Sequence, residues 1–232
     1  MSSIAPSTSS KPKTPKLSKT ELGKIDKARR IRDASRALFM GKGFEEATIR
    51  DIARLAEVAQ GTLFLYAGSK RELLFQLYND DLDIAVTNSC AFQQAELSPM
   101  EFLLQTMLQH LIQVTDDIAI AKCALIHLNL YDGSEQSARF VEICNTMIEA
   151  IRDCLHRSAD ENLLHESADY RLIGEMTYSL IVERMRRYIR SDVPDMQKAM
   201  QSIKGQLTVV LNGLGASPEA LVVNSPAINR WL

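Results

Sequence analysis

The sequence predicts an all-α fold, and three observations carry that prediction. No stretch alternates apolar and polar residues with the period of a strand. Apolar residues recur three and four apart instead, as Ile31, Ala34, Leu38 and Phe39 do. Short breaks rich in Gly, Pro, Asp and Ser separate these stripes at helix-length intervals. The pattern divides into a small N-terminal head of three helices and a larger C-terminal helical body, about nine helices in all.

Residues 1–22 are rich in Ser, Thr, Pro and Lys, hold few apolar groups and are expected to be a disordered basic tail. The head is expected over residues 23–70. Its first helix runs from about Lys24 to Gly41, and Gly41 and Gly43 end it. Thr48 is a good N-cap for a second helix, with Ile49, Ile52, Ala53 and Ala56 on its apolar face. A break at Glu57-Val58-Ala59 leads to a third helix over about Gln60 to Ala67. Gly68-Ser69 interrupts again, and Ser69 caps a long fourth helix built on Leu73, Leu74, Leu77 and Leu82. The body is expected over residues 71–215, punctuated by Pro99, Asp116-Asp117, Asp132-Gly133-Ser134, the stretch near Ser158 to Asn162, and Pro194. Its last two strong helices run from about Glu166 to Arg190 and from Asp195 to Asn212. Residues 216–232 contain Pro218 and Pro226 and are expected to form a loose tail.

The chain has 232 residues, enough for one sizeable domain or two small ones. Its four cysteines, Cys90, Cys123, Cys144 and Cys154, are scattered without a C-x-x-C pair and read as reduced thiols. The first twenty residues lack the apolar core of a secretory signal. Lys122 interrupts the best apolar run, "IAIAKCALI", so no membrane span is expected. These features predict a cytoplasmic protein. The net charge of −2 hides an asymmetry: residues 1–72 carry +7 and the remainder −9. A basic head on an acidic body points to a polyanionic partner for the head.

Two short helices joined by a tight turn in a basic region form the helix-turn-helix pattern, whose second helix lies in the major groove of DNA. The run "GTLFLYAGSK" supports this reading. Leu63 can face the core, whereas Phe64, Leu65 and Tyr66 sweep successive directions around a very short helix, so some must face outward. Gly61 lets a backbone approach closely, and Thr62 can hydrogen-bond a phosphate or pack its methyl group on thymine. Lys70, at the start of the next helix, stands where an ammonium and helix N-terminal N–H groups would hold a phosphate together.

These residues resemble the tetracycline-repressor (TetR) family of bacterial regulators over about Ile25 to Leu74. The resemblance rests on Ala34 and Ser35 ahead of Leu38-Phe39, Gly43-Phe44, "TIRDIA" from Thr48 to Ala53, Val58, "GTLFLY" and "SKRELL". It implies a ligand-responsive transcriptional regulator, a repressor released from a palindromic operator by a small effector, which the methionine-rich body leads us to expect is apolar or aromatic. It implies phosphate contact by Thr48 and base or phosphate contact by Arg50. Gln60, Gly61, Thr62 and Leu65 would face the groove, with Phe64, Tyr66 and Lys70 near the DNA backbone. The chain departs from the family's pattern at Glu57, where glycine is usual in the turn, at Ala59 and Phe64, and at Ala67 in place of a core aromatic.

Seven methionines fall between Met100 and Met200; most are expected in the core, and some can line an adaptable cavity. The candidate lining is Met107, His110, Cys123, His127, Tyr131, Met147, Met176 and Tyr178. Cys123 and His127 share a helix face near His110, but no fourth ligand stands out and a core histidine is the commoner reading, so no metal or cofactor is expected. No E-x-x-H, G-x-S-x-G or phosphate-cradling glycine loop is present, so no enzyme is expected. Met196, Met200, Ile203, Leu207, Val210 and Leu214 form a seam that is expected to pair with its copy in a homodimer. The expected partners are double-stranded DNA, an effector and a second copy of the chain, with no membrane. A competing reading is a helical ligand-binding or scaffold dimer with a degenerate head.

Overall fold

The computed structural model describes residues 18–165 and 169–232. Ten α-helices and one short 3-10 turn form there, with no strand among the described residues. The first, α1 (Lys19–Gly41), starts five residues before the expected Lys24. The reason is a capping box: Ser18 accepts from the Glu21 N–H, and the Glu21 carboxylate accepts from the Ser18 N–H. Residues 18–22, expected in the tail, thus belong to α1 and its cap, and residues 1–17 lie outside the described ones.

The helices α2 (Ile49–Leu55) and α3 (Gln60–Phe64) follow, then α4 (Lys70–Cys90). Thr48 and Ser69 cap α2 and α4 as the sequence predicts. The head core gathers Ile31, Ala34 and Phe39 of α1, Ile52 and Ala53 of α2, Leu63 of α3, and Leu73, Leu74 and Leu77 of α4. Helix α4 is shared between the two units. Its Phe75, Tyr78 and Leu82 enter the body core instead.

The body comprises α5 (Pro99–Asp116), α6 (Ile118–His127), α7 (Glu135–Asp160), α8 (Tyr170–Arg190) and α9 (Met196–Gly213). Helix α5 is central: every residue from Pro99 to Leu108 is buried. Its neighbours α4, α7, α8 and α9 pack around it. Helix α8 begins at Tyr170; the expected start near Glu166 falls on residues outside the described ones.

Two expectations need correction. The seam of α9 faces mostly inward: Met200, Ile203 and Leu207 are 0% exposed in the body core, with Met196 and Leu214 packed against it, while Val210 is half-buried outside that core. A helix turns its strongest apolar stripe toward its own core, which leaves the weaker stripe for a partner. The C-terminal stretch is also packed rather than loose. Its 3-10 turn (Glu219–Leu221) and α10 (Pro226–Asn229) bury Ala220 and Ile228 against the body. Ser98 donates to the Val222 carbonyl at 2.5 Å, and the Asn224 N–H donates to Glu101 at 3.2 Å. Pro218 and Pro226 sit at the starts of these short helices, where a missing N–H costs nothing. Gly215 makes the turn into this stretch at φ +69°, where a Cβ would lie 2.6 Å from the His165 ring.

Candidate nucleic-acid interface and effector cleft

The helix-turn-helix is held by polar contacts inside the head. Thr48 Oγ1 accepts from the Asp51 N–H at 3.1 Å, which leaves the Thr48 hydroxyl proton free to donate outward. Arg50 is exposed beside it. Asp51 is held well below the usual carboxylate range, first by the Lys42 ammonium at 3.0 Å. At the turn, Glu57 adopts φ 53°, the left-handed region that favours glycine. Arg30 reaches over from α1 and donates to the Ala56 carbonyl at 3.0 Å and the Glu57 carbonyl at 3.4 Å, satisfying the end of α2. Ala59 offers α3 no side-chain cap, as the sequence predicts.

The consecutive large residues of the recognition segment point three ways. Leu63 is buried in the head, while Phe64 is 48% and Leu65 85% exposed. Tyr66 turns back, and its hydroxyl donates to the Lys24 carbonyl of α1 at 3.1 Å. Gln60 and Gly61 are exposed and Thr62 is half-buried. A Cβ at Gly61 would meet no atom of this chain within 4 Å, so internal packing does not require glycine there. Lys70 has a second duty that the sequence reading missed. Its ammonium donates to the carbonyls of Phe44 (2.5 Å) and Glu45 (3.0 Å) and lies 4.4 Å from the centre of the Phe44 ring. It thereby ties α4 to the loop between α1 and α2.

Helix α6 bridges head and body. Its Ile120 is buried in the head core, with Cys123 and Leu128 packed on the same cluster. His127 lies against Phe44, ring centres 4.5 Å apart, with Nδ1 3.5 Å from the Glu45 carboxylate. Its opposite face sets Ala121 on Met185 and Ile189 of α8, a small cluster separate from the main core. Ala124 enters the main body core, and residues of α6 also line open space.

That space has two parts, and Tyr78 lines both. The outer cleft, about 670 Å³, is lined by apolar Leu125, Leu128, Leu130 and Ile189 and by the cations Lys122, Arg186 and Arg190. Among the described residues none of these three cations forms a close ion pair, although Glu183, one turn before Arg186, feels its charge. The inner cavity, about 20 Å³, is bordered by His110, Gln113, Asp81, Asp117 and Met185. His110 is fixed in one tautomer. The Thr106 carbonyl, 2.8 Å away, can only accept, so Nδ1 carries the proton and Nε2 accepts from the Tyr178 hydroxyl at 3.2 Å. Burial pushes His110 down to about 4 and drives Tyr178 well above the usual phenol range.

Of the residues expected to line a pocket, the structure brings only His110 and Tyr178 together. Met107 and Met147 are fully buried core residues. Cys123 and His127 face the head rather than a cavity. Tyr131 is 70% and Met176 58% exposed on the surface. No group of three or more metal-ligating side chains occurs among the described residues, and no helix there is long and apolar enough to cross a membrane. The basic rim on α6 and α8 was missed. Its signal was "ERMRRYIR", whose Arg186 and Arg190 lie one turn apart within an acidic body.

Residues 31–77 match the family model described as "Bacterial regulatory proteins, tetR family". Comparison with curated proteins returns no match. Among solved structures the chain is similar to the regulator FadR of Bacillus subtilis in complex with stearoyl-CoA, at 19% identity and TM-score 0.61, over 80% of this chain and 98% of that one. It is similar to Thermus thermophilus FadR, a repressor in complex with lauroyl-CoA, at 19% identity and TM-score 0.61, over 86% and 97%. A ketosteroid transcriptional regulator of Mycobacterium tuberculosis also matches, at 19% identity and TM-score 0.53, over 80% and 94%. The head thus carries the match to the tetR family model, and over four-fifths of its length the chain has the fold of these solved regulators.

Proposed function

We propose that this protein is a homodimeric repressor whose head binds a palindromic operator and whose body releases it on taking up an amphipathic anion, an acyl thioester of coenzyme A. The observation that carries this reading is the cleft beneath α6. In a body that carries −9 from residue 73 onward, Lys122, Arg186 and Arg190 line an apolar cleft together without a close ion pair to any carboxylate among the described residues. An apolar chain with a multiply charged head matches that pairing of wall and rim. The acyl-CoA molecules in the two FadR structures support the class. The expected apolar effector thus gains an anionic end.

In this reading Thr48, Arg50, Gln60, Gly61, Thr62, Phe64 and Leu65 meet DNA. Tyr66 and Lys70 stand behind them and fix the posture of α3 and α4. The dimer surface moves to the outward faces of α8 and α9, where Leu172, Met176 and Val209 are exposed. The test is thermal stabilisation by lauroyl-CoA, laurate and coenzyme A, because a ligand of the native state raises stability by mass action. Lauroyl-CoA is expected to raise Tm most, and Lys122→Ala with Arg190→Ala to remove its advantage over laurate. Equal shifts from laurate and lauroyl-CoA would reject the anionic rim, and no shift from either would reject the effector class.

A further inference from the structure

One guanidinium joins the head to the wall of the inner cavity. Arg36 of α1 grips Asp81 of α4 with both nitrogens, at 2.7 and 3.2 Å, and also pairs with Asp117. Gln113 of α5 donates to the same Asp81 at 3.3 Å. Asp117 stands at the N-cap of α6, where an aspartate ordinarily accepts from its own helix. Here its carboxylate makes no capping hydrogen bond and turns to Arg36 instead. The start of α6 is thus tied to α1 of the head.

Asp81, Gln113 and Asp117 also border the inner cavity. That cavity, about 20 Å³, admits a single water-sized group. A larger occupant must move the wall, and the wall is held by Arg36. From this geometry we propose that the contact of Arg36 with Asp81 and Asp117 is a latch: it holds α6 in the DNA-binding posture, and an effector acts by breaking it. The proposal rests on the effector reading above for its ligand, but the latch can be read without one. Arg36 is a positioning residue: it acts through Asp81 and Asp117 and lies outside the groups proposed to meet DNA or the cationic rim.

The latch favours one of two arrangements of α6, so removing it shifts the balance toward the effector-binding one. A contact that only supports the fold would instead weaken effector and DNA binding together. Two variants break the latch: Arg36→Met, and the milder Asp117→Asn, which keeps the shape of the side chain. Arg32→Met is the control. It breaks a similar ion pair, Arg32 with Asp80 at 3.1 Å, one turn away and outside the cavity wall.

The experiment has two readouts on the full-length chain. Without effector, hydrogen exchange at the Ile120 and Ala121 amides, which donate to the Asp117 carbonyl at 3.0 and 3.2 Å, is expected to quicken in both latch variants and not in the control. With lauroyl-CoA, half-release from the duplex upstream of the gene is expected at about tenfold lower concentration in both latch variants. Unchanged exchange in both variants overturns the latch whatever the effector does. So does a half-release concentration that stays the same or rises. If lauroyl-CoA fails to release the native protein while exchange still responds to Arg36→Met, the effector class fails and the latch stands.

Discussion

His110 gives the body a pH dependence whose sign and size follow from its surroundings. The ring is buried, donates from Nδ1 to the Thr106 carbonyl and accepts at Nε2 from Tyr178. Burial penalises the cation and lowers its pKa from 6.5 to about 4. The unfolded chain therefore binds the proton first as pH falls. The stability due to neutral His110 is fully present above pH 6.5 and is lost as the pH falls through about 4. At 1.36 kcal/mol per pH unit the loss is about 3 kcal/mol, an order-of-magnitude figure. Urea unfolding of the native protein and His110→Gln across pH 7 to about 4 isolates it, because losses from carboxylates cancel in the difference. The native protein should lose about 3 kcal/mol more than the variant between those limits. Parallel curves would show that His110 titrates normally and is not sealed against Tyr178.

Five further substitutions are expected to have distinct effects. Phe64→Tyr places a hydroxyl on an exposed ring that the proposed docking turns toward DNA; at about 0.5–1.5 kcal/mol for a neutral hydrogen bond, operator binding should tighten by up to roughly tenfold, and weaker binding would put Phe64 elsewhere. Glu57→Gly relieves a left-handed backbone and removes a negative charge near DNA, so it should add about 0.5–1 kcal/mol of stability and tighten operator binding, measured by melting and fluorescence anisotropy. Lys70→Ala should destabilise the head by about 1–3 kcal/mol through its two lost carbonyl contacts, seen as faster exchange in the loop between α1 and α2. Leu207→Asp should unfold the protomer, on the order of 3–5 kcal/mol for an unpaired buried charge, whereas Val209→Asp should leave it folded and monomeric by sedimentation.

The head was legible because its signals are local. Thr48 and Ser69 announce their helices, and three large residues in a row on a short helix require an outward face. The outward role of Phe64 and Leu65 followed from that geometry alone. Lys70 and Tyr66 were harder, because their polar tips engage Phe44, Glu45 and Lys24, residues distant in sequence. The seam of α9 was a true apolar stripe, but periodicity cannot say whether a stripe faces its own core or a copy. The same limit hid the cleft, whose lining comes from α4, α6, the segment after α6 and α8. His110 and Tyr178 were found as polar groups in an apolar body. Lys122 was read only as an interruption of an apolar run, and its convergence with Arg186 and Arg190 exists only after folding.

The central claim is that one chain links operator and effector, and one titration tests it. A fluorescent duplex from upstream of the gene is titrated with the protein at physiological salt, with and without lauroyl-CoA, against an unrelated duplex. The account predicts binding to the upstream duplex at least about a thousandfold tighter than to the unrelated one. It predicts that lauroyl-CoA weakens that binding by the same factor by which the duplex weakens lauroyl-CoA. Equal affinity for both duplexes, unchanged by lauroyl-CoA, would contradict it.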